Sequence, residues 1–189
     1  MNNDHFSGSE DKVSAACLGS MMMGTLINKE DSYDILDDFL DKGGNFIDTA
    51  NCYSWWWGDE HSYGDHSENL LGDWMTKRKN RDKIFLATKF GGRIKNQELL
   101  RDDKGEIMWE KVPSEYEGSS RETIRAAIEG SLERLQTDYI DLYYVHIDDR
   151  KTHLEEILDE LSKLVKEGKV KHIGCSNMRT WRLATARDI

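Results

Sequence analysis

From Val13 onward the chain alternates two patterns of apolar and polar residues. Short, near-continuous apolar runs recur, and between them lie segments whose apolar residues fall at helical spacing. The runs are "CLGSMMMG" at 17–24, "NFIDTA" at 45–50, "KIFLATKF" at 83–90, "DYIDLYYVH" at 138–146 and "VKHIGCSN" at 170–177. Each has the length of a strand buried on both faces. The first intervening segment, "KEDSYDILDDFLDKGG", sets Tyr33, Leu36, Phe39 and Leu40 on one helical face, and Gly43 is placed to stop it. "SENLLGDWMTK" offers Ser67 as an N-cap. "SSRETIRAAIEGSLERLQT" opens on Ser119 or Ser120 as a cap and carries a stripe of Ile124, Ala127, Ile128, Leu132 and Leu135. "HLEEILDELSKLVKEGK" repeats the helical pattern and meets Gly168 near its end. Five apolar strands alternating with amphipathic helices predict an α/β fold, a parallel sheet covered by helices.

Residues 1–12 read as a polar tail and 13–189 as one domain. The rhythm breaks at about 91–118, a polar, charged stretch holding the only proline, Pro113. A loop of that length is usually functional or mobile.

Composition narrows the partners. With 38% hydrophobic and 33% charged residues, the chain reads as an ordinary soluble domain, and its net charge of −10, with no concentrated basic run, argues against nucleic acid or an anionic membrane as a partner. The longest uncharged stretch, Val13 to Asn28, is too short and too interrupted to span a bilayer. Cys17, Cys52 and Cys175 lie far apart, which suggests reduced thiols and a cytoplasmic setting.

Parallel α/β folds gather their chemistry at the carboxyl ends of the strands. Here those ends deliver Asp48, Lys89, His146 and the pair Ser176 and Asn177, although the run before each is apolar. A single lysine or histidine after a strand is ordinarily solvated or structural; four such ends in one chain point to a site. An ammonium beside a carboxylate stays charged, and its field is expected to lower the pKa of a neighbouring phenol enough for proton donation near neutrality. Tyr53 is the phenol in reach of Asp48.

The chain resembles the aldo-keto reductases through "DTANCY" at 48–53, "ATKF" with Lys89, "DLYYVH" with His146 and "GKVKHIGCSN" at 168–177. "VSAACLGSMMMG" at 13–24 and "HSENLLGDWM" at 66–75 match the family's first strand and its S-E-x-x-L-G helix. The resemblance runs over almost the whole chain, with the motifs in family order. It implies a (β/α)8 barrel of the TIM type, of which about five βα units are present, whereas a complete barrel takes eight units and typically about 250 residues.

The same resemblance implies reduction of a small-molecule aldehyde or ketone by NADP(H), or NAD(H). Tyr53 would protonate the developing alkoxide, Lys89 and Asp48 would tune it, and His146 would orient the carbonyl or assist the proton. Gly19, Ser20, Met21, Asp48, Ser176 and Asn177 would meet the cofactor. Trp55, Trp56 and Trp57 follow Tyr53 directly and would line a substrate pocket or pack against the barrel's own loops or another subunit. Tyr63 is a second phenol in the insertion that follows, favoured by its spacing to the Ser67–Glu68 pair. Asp59, Glu60, His61, Asp65 and His66 in that insertion fit no zinc signature and read as solvated. A cofactor-binding regulatory subunit and a shortened, inactive family member are the alternatives.

An open sheet of five strands leaves two edges unpaired and apolar surface uncovered. The isolated 189-residue chain is therefore expected to dimerise or aggregate; light scattering at high concentration that returns a sharp monomer would contradict this.

Overall fold

The computed structural model describes residues 3–6, 8–57 and 63–189. Among them, a two-stranded antiparallel hairpin, β1 (Asn3–His5) and β2 (Lys12–Ser14), precedes a five-stranded parallel sheet. The sheet runs β3 (Cys17–Gly19), β4 (Phe46–Asp48), β5 (Phe85–Phe90), β6 (Ile140–Val145) and β7 (Val170–Cys175), each strand paired with the next in the chain. Sequential parallel order is that of a barrel segment; a doubly wound sheet reverses its order at a switch point. The sheet is not closed, and β3 and β7 form its two edges.

Helices α1 (Lys29–Asp41), α2 (His66–Arg78), α3 (Arg121–Leu135), α4 (Leu154–Lys166) and α5 (Thr180–Asp188) follow successive strands of this sheet. The α1 cap is Asn28, whose side chain accepts from the Asp31 N–H, and the α3 cap is Ser120, which accepts from the Thr123 N–H. Each supplies an acceptor that the first helical turn lacks.

Side chains alternate across each strand. Ile47, Leu86, Phe90, Tyr143 and Val145 face outward into the main core, where Leu36, Leu71, Trp74, Ile128, Leu161 and other helical residues are buried against them. Phe46, Phe85, Ala87, Leu142 and Tyr144 cluster on the opposite face. Among the described residues ahead of the sheet, the hairpin seats Phe6 among Phe46, Phe85 and His172, and His172 Nε2 lies 2.7 Å from Asp11 Oδ2. The amino-terminal end of the sheet is thereby covered, leaving the carboxyl ends of the strands for chemistry.

Ser67 does not cap α2. The helix begins one residue earlier, and Ser67 is buried, its hydroxyl bonded to Ser20 Oγ and Thr49 Oγ1 at 2.8 Å each. The S-E-x-x-L-G pattern is thus a set of interior contacts. Glu68, with no exposed side-chain surface, accepts from Thr88 Oγ1 at 2.6 Å and from Arg134 Nε at 2.7 Å. Leu71 is fully buried, and a Cβ on Gly72 would stand 2.1 Å from the Arg134 carbonyl oxygen, so only glycine lets α2 approach α3 this closely. The stretch from 91 to 118 also has structure, with 3-10 turns at Glu98–Leu100 and Trp109–Ser114 and isolated bridges pairing Ile94 with Tyr116 and Arg101 with Ile107.

Arg134→Met strands the Glu68 carboxylate in the interior with only the Thr88 hydroxyl. A loss of about 3–5 kcal/mol is expected from urea midpoints, and the double variant with Glu68→Gln should recover most of it.

Candidate active site

Strand register builds the site from the inner face. Parallel pairing places Gly19 beside Asp48, Asp48 beside Ala87 and Lys89 beside Tyr144. Asp48, Lys89 and His146 therefore emerge at neighbouring strand ends. Asp48 is about one quarter exposed, and the Lys89 side chain is almost wholly covered. Its Nζ donates to Asp48 Oδ2 at 2.5 Å, to the Thr49 carbonyl at 2.7 Å and to Tyr53 Oη at 2.6 Å. All three ammonium hydrogens are thus used, which is what a charge removed from water requires.

The β4–α2 loop brings Tyr53 to this ammonium. Thr49 N–H donates to the Ala87 carbonyl and Asn51 N–H to the Lys89 carbonyl, so the chain continues along β5 before turning. Ser54 then takes a left-handed conformation, φ 71°, anchored by its hydroxyl on the Met21 carbonyl at 2.5 Å. The Tyr53 hydroxyl donates to Asp48 Oδ2 over a longer 3.4 Å, and its ring meets that of His146 edge-on with centroids 5.7 Å apart. Tyr63 lies elsewhere, with the Arg93 guanidinium 5.6 Å from its ring centre.

Burial governs the electrostatics. It raises the Tyr53 phenol well above its ordinary value, reinforced by the Asp48 carboxylate, so the expected lowering by Lys89 is not found. It also holds Lys89 below the usual lysine value, against the opposing pull of Asp48. His146 is brought down to about 4 by burial and then by the Lys89 charge, which leaves a neutral imidazole at pH 7. Cys52, whose Sγ lies 3.4 Å from His146 Nδ1, is pushed up to about 12, chiefly by burial.

The remaining site candidates divide. Asn177 Nδ2 donates to the His146 carbonyl at 2.9 Å, and Ser176 N–H donates to the Val145 carbonyl, so this pair flanks the four residues on one side. Gly19 flanks Asp48 on the other side and faces open space. Ser20 has its side chain engaged internally, donating to the Asp48 carbonyl and bonding Ser67. Met21 contributes its carbonyl to Ser54.

The tryptophans separate by exposure. Trp55 is buried with Ile94, Leu100 and Val112 of the 91–118 segment and stands 6.0 Å from the Trp109 ring; Trp56 is half-buried, and Trp57 is 41% exposed. Asp65 is ion-paired with Arg93 and Arg134, and His66 is the first residue of α2. Asp59, Glu60 and His61 lie outside the described residues.

Two contributors had no sequence signal. Glu117 accepts from Asn51 Nδ2 at 2.9 Å and from the Gly91 N–H at 2.6 Å, tying the 91–118 segment to the Tyr53 loop. Cys52 meets His146 across 94 positions of chain.

A family model described as the Aldo/keto reductase family matches residues 15–188. A norsolorinic acid reductase of Emericella nidulans is 39% identical over 184 residues, spanning 94% of this chain and 43% of that protein. An aryl-alcohol dehydrogenase [NADP(+)] of Phanerodontia chrysosporium is 36% identical over 168 residues, spanning 88% of this chain and 39% of its own length. Among solved structures, an aldo-keto reductase from Bacillus halodurans in its holo form superposes with a TM-score of 0.74 at 28% identity, over 98% of this chain and 53% of that one. The chain thus spans less than half the length of these curated relatives.

The depressed His146 value has a consequence for stability. An unfolded imidazole takes up a proton below about pH 6.5, whereas the folded one does so only near 4, so stability falls as the pH drops through that window. The expected loss approaches about 3 kcal/mol at pH 4. Urea midpoints measured against pH should fall through this range and flatten in His146→Gln.

Proposed function

The chain belongs to the Aldo/keto reductase family, and on that premise we propose that it reduces the carbonyl group of an aldehyde or ketone to an alcohol, with NADP(H), or NAD(H), as reductant and Tyr53 as proton donor. One observation carries the reading: the Lys89 ammonium is shared among Asp48, the Thr49 carbonyl and the Tyr53 hydroxyl, with the His146 ring alongside. Packing alone gives no reason to bury an acid, an amine and a phenol in mutual contact at the strand ends.

The nicotinamide end of such a cofactor suits the residues present. A carboxamide needs one acceptor and one donor, and the Ser176 hydroxyl with the half-free Asn177 amide offers both beside His146. Gly19, with nothing within 4 Å of where a Cβ would stand, leaves room beside Asp48 for close approach. When bound, the reduced nicotinamide supplies a hydride to the carbonyl carbon.

Tyr53 then has two tasks. Its hydroxyl holds the carbonyl oxygen in place, and it releases its proton as negative charge builds there. A raised phenol pKa keeps Tyr53 protonated at neutral pH, and an alkoxide is a stronger base than a phenolate, so transfer still runs toward the oxygen. Lys89, 2.6 Å away, stabilises the phenolate left behind. Asp48 holds Lys89 in position, and neutral His146 can orient the oxygen but has no proton to spare as an acid at pH 7.

Trp57, as the exposed member of its triplet, supports an aromatic side to the substrate space, while Trp55 serves the wall behind it. The free thiols of Cys17, Cys52 and Cys175 support a reducing, cytoplasmic setting, and the unpaired edges of β3 and β7 support self-association.

Tyr53→Phe should lower kcat on a simple aromatic aldehyde by about 10²–10⁴-fold with little change in KM, while Tyr63→Phe keeps full turnover. Steady-state assays of NADPH oxidation test both, and unimpaired Tyr53→Phe would end the assignment.

A further inference from the structure

Resting on the reductase reading above, we infer that Cys52 is a positioning residue: its buried thiol donates to His146 Nδ1 and holds the imidazole in the tautomer that carries its proton on Nε2. The Sγ to Nδ1 separation is 3.4 Å, a sulfur hydrogen-bond distance, and among the described residues no other group bonds either ring nitrogen.

The fold clamps this pair from two sides. Gly64, at φ 92°, lies against the Cys52 main chain so closely that a Cβ there would be 2.4 Å from its carbonyl carbon. Gly92 lies over the contact itself, where a Cβ would stand 3.3 Å from both Cys52 Sγ and His146 Nδ1. Cys52 is 5% exposed, and Trp55 and Ile94 share its cluster. No polar group other than the imidazole is offered to its thiol among the described residues.

Chemistry decides the direction of the bond. Both groups are neutral at pH 7, the thiol because burial raises it and the imidazole because burial lowers it. An imidazole lone pair is a much better acceptor than a thiol sulfur, so the proton lies on sulfur and points at Nδ1. The ring's own proton is then on Nε2. In the other tautomer Nε2 would present a lone pair, which repels a carbonyl oxygen. With Nε2 protonated, the oxygen meets two donors, the Tyr53 hydroxyl and the His146 N–H, on rings set edge-on 5.7 Å apart.

The test separates the tautomer from turnover. Two-bond proton–nitrogen spectra of the chain labelled at histidine, with His146 identified by its loss in His146→Gln, should show an unprotonated Nδ1 and a protonated Nε2 at pH 7. Cys52→Ala should move Nδ1 and mix the tautomers, and Cys52→Ser, which keeps a donor, should preserve the native pattern. A protonated Nδ1 in the native chain, or a spectrum unchanged in Cys52→Ala, would overturn the inference. On an aldehyde, kcat should fall roughly tenfold in Cys52→Ala at nearly constant KM and recover in Cys52→Ser, the scale of disturbing one preorganised donor. Loss of the tautomer without loss of kcat would also overturn it. Full turnover in Tyr53→Phe alongside a Cys52-dependent spectrum would instead sink the reductase reading and leave the thiol–imidazole pair standing.

Discussion

A lysine ammonium placed at the inner face of a sheet must find three acceptors or lose its charge, and that requirement organises the molecule around Lys89. Its hydrogens reach Asp48, the Thr49 carbonyl and Tyr53. Two of these come from β4 and its continuation and the third from the turn beyond, so the pairing of β4 with β5 and the length of that turn are bound to one cation. The penalty for leaving a buried charge unpaired is several kcal/mol, larger than most single contacts in a domain.

The adjacent residue anchors the other side. Strand alternation turns Thr88 away from the site and onto Glu68, which Arg134 holds in turn. Residues 88 and 89 thus connect the helical layer to the chemical rim through one strand. Ser67, next along α2, reaches Thr49 and Ser20, and Ser20 reaches the Asp48 carbonyl. The polar interior thus ties the helical layer to the strand ends that carry Asp48 and Lys89, the candidate site.

Burial sets the protonation states more strongly than neighbouring charge does. Tyr53 rises, Lys89 falls and His146 falls, each in the direction that disfavours its ionised form. The site then holds a protonated phenol and a neutral imidazole together, a combination suited to donating one proton and one orienting hydrogen bond. Trp55 packs behind the Tyr53 loop and joins it to the 91–118 segment, whose Glu117 fastens Asn51. The three consecutive tryptophans differ in burial because a 3-10 turn sends successive side chains in different directions.

Alternation of apolar runs with helical stripes was enough to read five parallel strands, the helices that follow them and the strand ends bearing Asp48, Lys89 and His146, because period and burial are local properties of a sequence. The family motifs carried the likeness further, to a barrel segment. Local reading could not assign Ser67, which has the spacing of a cap and the surroundings of a core residue. Nor could it find the amino-terminal hairpin, whose Phe6 gains meaning only against Phe46, Phe85 and His172. The direction of the Tyr53 shift and the contact of Cys52 with His146 belong to the tertiary structure alone, since desolvation and proximity arise from segments up to 94 residues apart. Sequence chose the chemical groups, and packing decided which of them are charged and which face one another.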